Sequence, residues 1–324
     1  MRKYHLFLFL LFLVSCAERP STENPSDENN PAGLPIENTS LIVLGTVQDA
    51  GSPHIACTRE CCAGLFENPS AQRQVVSLGL IDAEHRKTYL FDATPDIARQ
   101  MKRLTQYGHR GERELSDGIF LTHAHIGHYT GLMYLGKEAM NAQNTPVYAM
   151  PRMKEFLEGN GPWDQLVSLN NIRLHELQNE EPVTLPGHIE VTPFLVPHRN
   201  EYSETVGFRI KGPTKTALFI PDINKWAVWD KDIVEEVRKV DYAFLDATFY
   251  SGKEIGHRDI SQIPHPFVIE SFETFEGLSA TDKHKVVFIH FNHTNPLLNP
   301  ESEEARMVIE KGFRIATIGE VFAL

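Results

Sequence analysis

The segment Gly118-Ile119-Phe120-Leu121-Thr122-His123-Ala124-His125-Ile126-Gly127-His128 constrains the fold more than any other part of this chain. A short apolar run reads as a buried strand, and here it ends in three closely spaced histidines. Alternate side chains of an extended chain share a face, so His123 and His125 point the same way. A helix starting near Gly127 swings His128 back over the same spot. Three imidazoles converging at a strand end make a metal site, because neutral imidazole suits zinc and iron. The fold must therefore bring a strand end, a helix start and further ligands to one point.

Those further ligands recur in one setting. Ile189 to Val196 alternates as a strand does and ends in Pro197-His198. The run Thr216 to Ile220 ends in Pro221-Asp222, and Val286 to Ile289 ends in His290. Asp92 follows the run Thr88 to Phe91, where a buried carboxylate could orient a ligand imidazole. Residues at strand ends on one rim are what an open metal pocket needs. His123, His125, His128, His198, Asp222 and His290 are thus the expected metal ligands. Asp222 is the candidate bridging carboxylate and, with His290, the expected catalytic pair. His257 and His265 fall in a loop before a helix; they are candidates to reach the pocket, with a solvated loop as the favoured reading.

A second cluster, His54, Cys57, Cys61 and Cys62, packs three cysteines and a histidine into nine residues. Its spacing allows a small structural metal site; in an exported protein a disulfide competes with it, and free thiols are the third reading.

The remaining pattern alternates strands and helices. Strands are predicted at 41–45, 75–81, 88–91, 118–121, 146–149, 189–196, 205–210, 216–220, 242–245, 286–289 and 313–317. Helices are predicted at 97–107, with Asp96 as its cap, and at 129–140, 151–157, 230–240, 266–275 and 302–311. The stretch from Trp163 to Pro186 predicts only short irregular elements.

The first residues are of another kind. Arg2 and Lys3 precede the apolar run Leu6 to Val14, which ends in Leu13-Val14-Ser15-Cys16. A basic start, a short apolar core and small residues make a secretory signal, too short for a membrane span. The Leu-x-Ser-Cys ending resembles a bacterial lipobox, which implies a signal peptide over 1–16, lipidation of Cys16 and a protein anchored to the membrane of the cell envelope. Residues 17–39 are rich in Pro, Ser, Asn and Glu and read as a flexible tether, so the folded domain spans 40–324. The formal net charge of −12 argues against a nucleic-acid partner, whose phosphates it would repel. A small-molecule substrate is the expected partner of the pocket.

The order Asp92, HxHxxH, His198, Asp222, His290 resembles the metallo-β-lactamase fold superfamily. The resemblance implies an α/β protein, an αββα four-layer sandwich with the metal between two sheets. More narrowly, the chain looks like the B proteins of pyrroloquinoline quinone biosynthesis. The cysteine cluster after the first strand, Asp92-Ala93-Thr94-Pro95-Asp96, His128-Tyr129-Thr130-Gly131-Leu132 and His290-Phe291-Asn292-His293-Thr294-Asn295-Pro296 carry that likeness. Carried over, His123, His125 and His198 hold a first metal, Asp222 bridges, and His128 and His290 belong to a second. The family motif is HxHxDH, and here Gly127 stands where the aspartate should be. Glycine has no ligating atom, which weakens the second site unless Asp49, His54, His257 or His293 fills the gap. An aspartate restored at 127 is expected to raise its occupancy.

Three functions follow. A metal ion, zinc in one or two copies, lowers the pKa of a bound water to about 7 for hydrolysis of a small ester, lactone, amide or phosphodiester. Several imidazoles, a carboxylate and open positions also suit iron-dependent oxidation. Gly127 alone favours a non-catalytic binding protein on a degenerate scaffold.

Overall fold

The computed structural model describes residues 36–324, apart from 69–72, 109–113, 257–258, 260 and 262. The signal peptide, Cys16, most of the tether and His257 lie outside the described residues. The strands are β1 (Ser40–Gly45), β2 (Ser77–Asp82), β3 (Lys87–Phe91), β4 (Gly118–Phe120), β5 (Thr145–Ala149), β6 (Ile172–Glu176) and β7 (Val183–Leu185). There follow β8 (Ile189–Leu195), β9 (Val206–Lys211), β10 (Thr216–Ile220), β11 (Tyr242–Asp246), β12 (Val286–Ile289), β13 (Arg314–Ile315) and β14 (Val321–Ala323).

They form two seven-stranded sheets, in the orders β14-β1-β2-β3-β4-β5-β6 and β13-β12-β11-β10-β9-β8-β7. The first half of the chain thus builds one sheet and the second half the other. β14 crosses back to pair antiparallel with β1. Alternation along single strands explains the layering. Leu41 and Val43 face the core between the sheets, whereas Ile42 and Leu44 face the helices outside the first sheet. In β12, Val287 and Ile289 join the central core, whereas Val286 and Phe288 pack on the outer helices of the second sheet. Strands apolar on both faces need cover on both faces, and a four-layer αββα sandwich supplies it. In the central layer Phe91 stacks on Phe120 at 5.2 Å, and Phe208 meets Phe91 edge-on at 5.4 Å.

Several predicted elements change in detail. The helix expected over 129–140 is a short helix at Ile126–Tyr129 followed by a tight 3-10 turn at Thr130–Leu135. Gly131 donates its N–H to Ala93 O at 2.8 Å, and a Cβ there would lie 2.1 Å from Thr94 O. That close approach sets the chain's path. The stretch 163–186 holds a helix, Trp163–Ser168, and two strands, β6 and β7. Asp96 does not cap the helix Ile97–Tyr107; its carboxylate accepts from Val75 N at 2.8 Å and ties the helix start to the chain before β2.

Candidate metal centre

The site forms where the two sheets bring strand ends together. β3 and β4 run parallel, so Asp92 and the Thr122-His123 pair leave adjacent strands at one level. β10, β11 and β12 also run parallel, which delivers Asp222, Asp246 and His290 side by side. Asp92 and His290 have left-handed backbone, with φ of 67° and 68°. Such conformations cost about 1–3 kcal/mol in non-glycine residues and persist only where the surroundings enforce them. Here they turn both side chains back over the sheet ends.

Among the described residues, three candidate ligand sets share Asp222: two adjoin in the cradle, and a third, Asp222, Asp246, His265 and His290, lies at its edge. In the first, His123, His125, His198 and Asp222 offer ligand atoms that all lie within 4.8 Å of one another. His123 Nε2 is 2.8 Å from His125 Nδ1 and 3.3 Å from Asp222 Oδ2, and His198 Nε2 is 3.1 Å from Asp222 Oδ1. In the second, Asp49 joins His128, Asp222 and His290 within the same limit. His128 Nε2 lies 3.2 Å from Asp49 Oδ1, and His290 Nε2 lies 3.7 Å from it. The gap left by Gly127 is therefore not empty. Asp49, from the loop after β1, puts its carboxylate there, and the Gly127 N–H donates to Asp49 Oδ2 at 3.4 Å.

The outer contacts fix which imidazole nitrogen faces the centre. Thr122 Oγ1 donates to Asp92 Oδ1 at 2.9 Å and lies 3.0 Å from His123 Nδ1. Thr248 Oγ1 donates to Asp246 Oδ1 at 2.7 Å and lies 2.8 Å from His290 Nδ1. A hydroxyl has one proton; once it goes to the carboxylate, the oxygen only accepts. In its neutral form each imidazole then carries its proton on Nδ1 and turns a free Nε2 inward. His128 Nδ1 donates to Asp92 Oδ2 at 2.7 Å, and His198 Nδ1 to Asn224 Oδ1 at 3.2 Å, with the same result. Asp92 thus sits where it fixes the orientation of the His128 ring. Asp246 performs the mirror role in the second sheet.

Electrostatics favour the ligand-ready forms of Asp222 and His123, whereas His128 and His290 are held protonated by the carboxylates beside them and must release a proton to bind a cation. Burial opposes charge on Asp222, but the imidazoles of His265, His198 and His290 hold its carboxyl well below the usual range. Burial and the neighbouring His128 keep His123 neutral by lowering its pKa well below the histidine norm. His290 is resisted by burial but pushed up to about 9 by Asp222 and Asp246. Asp222 Oδ1 and His290 Nε2 are buried and make no hydrogen bond. Each such atom costs about 1–3 kcal/mol unless paired. A divalent cation answers both, and a nitrogen–oxygen donor set of this kind fits zinc or iron.

Two expectations need correcting. His265 is not in a solvated loop. Its Nδ1 lies 2.8 Å from Asp246 Oδ2 and 3.2 Å from Asp222 Oδ1, at the edge of the centre. Its approach to the pocket was the less favoured reading of the sequence, because it comes from a connection and not from a strand end. Asp246, also missed, follows the strand-end rule and could have been found by it. In the cysteine cluster, His293 and not His54 completes the set with Cys57, Cys61 and Cys62. His54 instead turns its Nδ1 to Ile55 O at 2.7 Å and packs its ring on His293 at 4.3 Å. All three cysteines are free thiols. Cys57 Sγ is 3.9 Å from Cys61 Sγ, and Cys61 Sγ is 4.0 Å from Cys62 Sγ, far beyond a bond of about 2.05 Å. Three sulfurs and one imidazole are a structural-zinc donor set.

Two facing mixed sheets, helices on their outer sides and paired histidine–aspartate sets at the strand ends define a metallo-β-lactamase-type scaffold. The chain belongs to the beta-lactamase superfamily: the family model of the beta-lactamase superfamily domain matches residues 87–291. Among curated proteins it is similar to coenzyme PQQ synthesis protein B of Gluconobacter oxydans, 25% identical over 88% of this chain and 98% of the relative. The same protein of Ruegeria pomeroyi is 26% identical over 86% of this chain and 98% of its own length. Among solved structures, zinc-bound PqqB from Methylobacterium extorquens superposes with a TM-score of 0.71 at 22% identity, over 88% of this chain and all of that one (100%). A diphosphatase of the PhnP family superposes with a TM-score of 0.62 at 23% identity, covering 89% of this chain and 97% of that one.

Proposed function

We propose that this protein is a metal-dependent hydrolase of a small ester, lactone, amide or phosphodiester. The observation that carries the reading is Asp222, one buried carboxylate common to three adjoining histidine-containing ligand sets. Zinc, or iron in its place, held by these sets would supply Lewis acidity and a water acidified to a pKa of about 7.

The chain's own groups have distinct parts. His123, His125 and His198 hold the first position, His128 and His290 the second, and Asp222 stands between them. Asp92 and Asp246, through Thr122 and Thr248, keep the Nε2 atoms inward. His265, next to Asp222 and Asp246, has its pKa raised: burial resists it, but the two carboxylates overcome that. Its Nδ1, 2.8 Å from Asp246 Oδ2 and 3.2 Å from Asp222 Oδ1, places it at the edge of the centre, where it could serve as a proton donor to a departing alkoxide or as a further ligand. The exposed Ile126 follows His125, and the exposed Tyr202 follows Glu201, whose carboxylate is 3.6 Å from His125 Nε2. The diphosphatase neighbour puts phosphoesters first among the substrates to try.

The test is a panel of nitrophenyl esters, lactones, amides and phosphodiesters with zinc-, manganese- and iron-loaded protein. Asp222→Ala should abolish turnover; turnover retained in that variant would refute the assignment. His265→Gln should slow poor leaving groups more than good ones.

Iron-dependent oxidation is the second reading, favoured by the relatives named for coenzyme PQQ synthesis. Oxygen consumption by iron-loaded protein, with no hydrolysis of any panel member, would select it. The lipobox-like ending at Cys16 supports an envelope location. Cys16→Ser should shift the protein out of the membrane fraction; an unchanged distribution would argue against the anchor.

A further inference from the structure

We propose that Asp49 is a metal ligand of the second position, supplying from the loop after β1 the carboxylate that the histidine motif lacks at 127. This deepens the hydrolase reading and rests on its two-site arrangement. Three independent observations support it.

The first is steric. The backbone of Asp49 occupies the space that a side chain at 127 would need, since a Cβ on Gly127 would lie 2.4 Å from Asp49 Cα. The two positions are alternatives: one carboxylate can enter this volume, from one side or the other.

The second is placement. Asp49 Oδ1 faces His128 Nε2 and His290 Nε2, the two inward nitrogens that Asp92 and Thr248 have oriented. Two imidazoles and two carboxylates, one shared, are an ordinary oxygen–nitrogen donor set for a divalent ion.

The third is rigidity. The loop is stitched to the chain around His290. Val47 bridges to Phe291, Gln48 N donates to Phe291 O at 2.9 Å, and Phe291 N donates to Thr46 O at 2.8 Å. The Gly51 N–H closes a turn on Gln48 O at 2.9 Å. Asp49 therefore sits in a clamped turn, and the clamp partner is the residue after a fellow ligand. A purely structural ion pair with His128 needs no such attachment to His290.

The test uses purified full-length protein stripped of metal and titrated with zinc by equilibrium dialysis and elemental analysis. Thermal unfolding of the metal-free forms monitors the fold. Asp49→Asn keeps the shape and removes the charge. It should bind one ion fewer per chain, or bind the second ion on the order of 10–100-fold more weakly. Asp49→Ala, which only removes atoms, should give the same loss if the amide perturbs folding. A second ion held within about threefold of wild-type affinity in both variants would overturn the proposal. So would a wild type that binds one ion in the histidine–aspartate cradle, an outcome that leaves a one-metal hydrolase standing. Conversely, two ions in the wild type, one in Asp49→Asn and no hydrolysis by either would sink the hydrolase reading and keep this one.

Discussion

Gly127→Asp would restore the family motif in the sequence and damage the site in the fold. The new Cβ would sit 2.4 Å from Asp49 Cα and 2.8 Å from both Asp49 Cβ and Cγ. Non-bonded carbons rest about 3.5–4.0 Å apart, so the Asp49 loop must retreat by about 1 Å or more. The retreat draws the Asp49 carboxylate off His128 Nε2, now at 3.2 Å, and strains the backbone bonds to Phe291. Overpacking of this kind costs about 1–3 kcal/mol. In a domain of this size each kcal/mol lowers Tm by about 2–4 °C. The metal-free variant should therefore melt several degrees lower, and its second ion should bind more weakly, not more tightly as the motif alone suggests. Gly127→Ala separates size from charge: it carries the same Cβ without a carboxylate and should show most of the melting loss. Calorimetry of the metal-free proteins, paired with zinc dialysis, reads both effects. An unchanged Tm in both variants, or a tighter second ion in Gly127→Asp, would refute the steric reasoning.

Asp92→Asn leaves Thr122 and His128 facing an amide that cannot accept all the bonds the carboxylate takes. Loss of a charge-assisted bond costs about 1.5–3 kcal/mol, so metal affinity should fall on the order of 10–100-fold, measured by chelator competition. Burial pushes the Glu254 carboxyl up to about 7, against an unfolded value near 4.3. The folded state holds this proton more tightly, so its contribution is full below pH 4 and is lost as pH rises toward and through 7, on the order of 1–3 kcal/mol. Glu254→Gln still accepts from the N–H groups of Tyr250 and Ser251 and should flatten that slope in urea unfolding across the range; an unchanged slope would place the proton elsewhere. Cys62→Ser removes a buried sulfur from the cysteine set and should lower zinc content by one ion while the histidine cradle keeps its own. Full zinc content in that variant would reduce the cluster to three buried or half-buried thiols.

Much of the scaffold was legible because burial imposes simple periods. β12 was read to the residue from Val286 to Ile289, and the helix Ile97–Tyr107 likewise, since each has one dominant apolar pattern. β6 was missed because Ile172–Glu176 lies at a sheet edge, where partial exposure admits Arg and His and blurs the alternation. The strand-end rule picks out His123, His198, Asp222 and His290, which the fold brings together. It was not applied to Asp246, and it cannot reach His265 or Asp49, which come from loops.

The layered α/β class and most of the groups that converge at the strand ends are readable from residue order alone, because hydrophobic periodicity and ligand chemistry are written residue by residue. Only the tertiary structure decided that Asp49 fills the space over Gly127 and that His293 displaces His54 at the cysteines. Those pairings join positions far apart in the chain or compete between neighbouring histidines. They depend on which backbones approach within a few ångströms, a property of packing that no local pattern encodes.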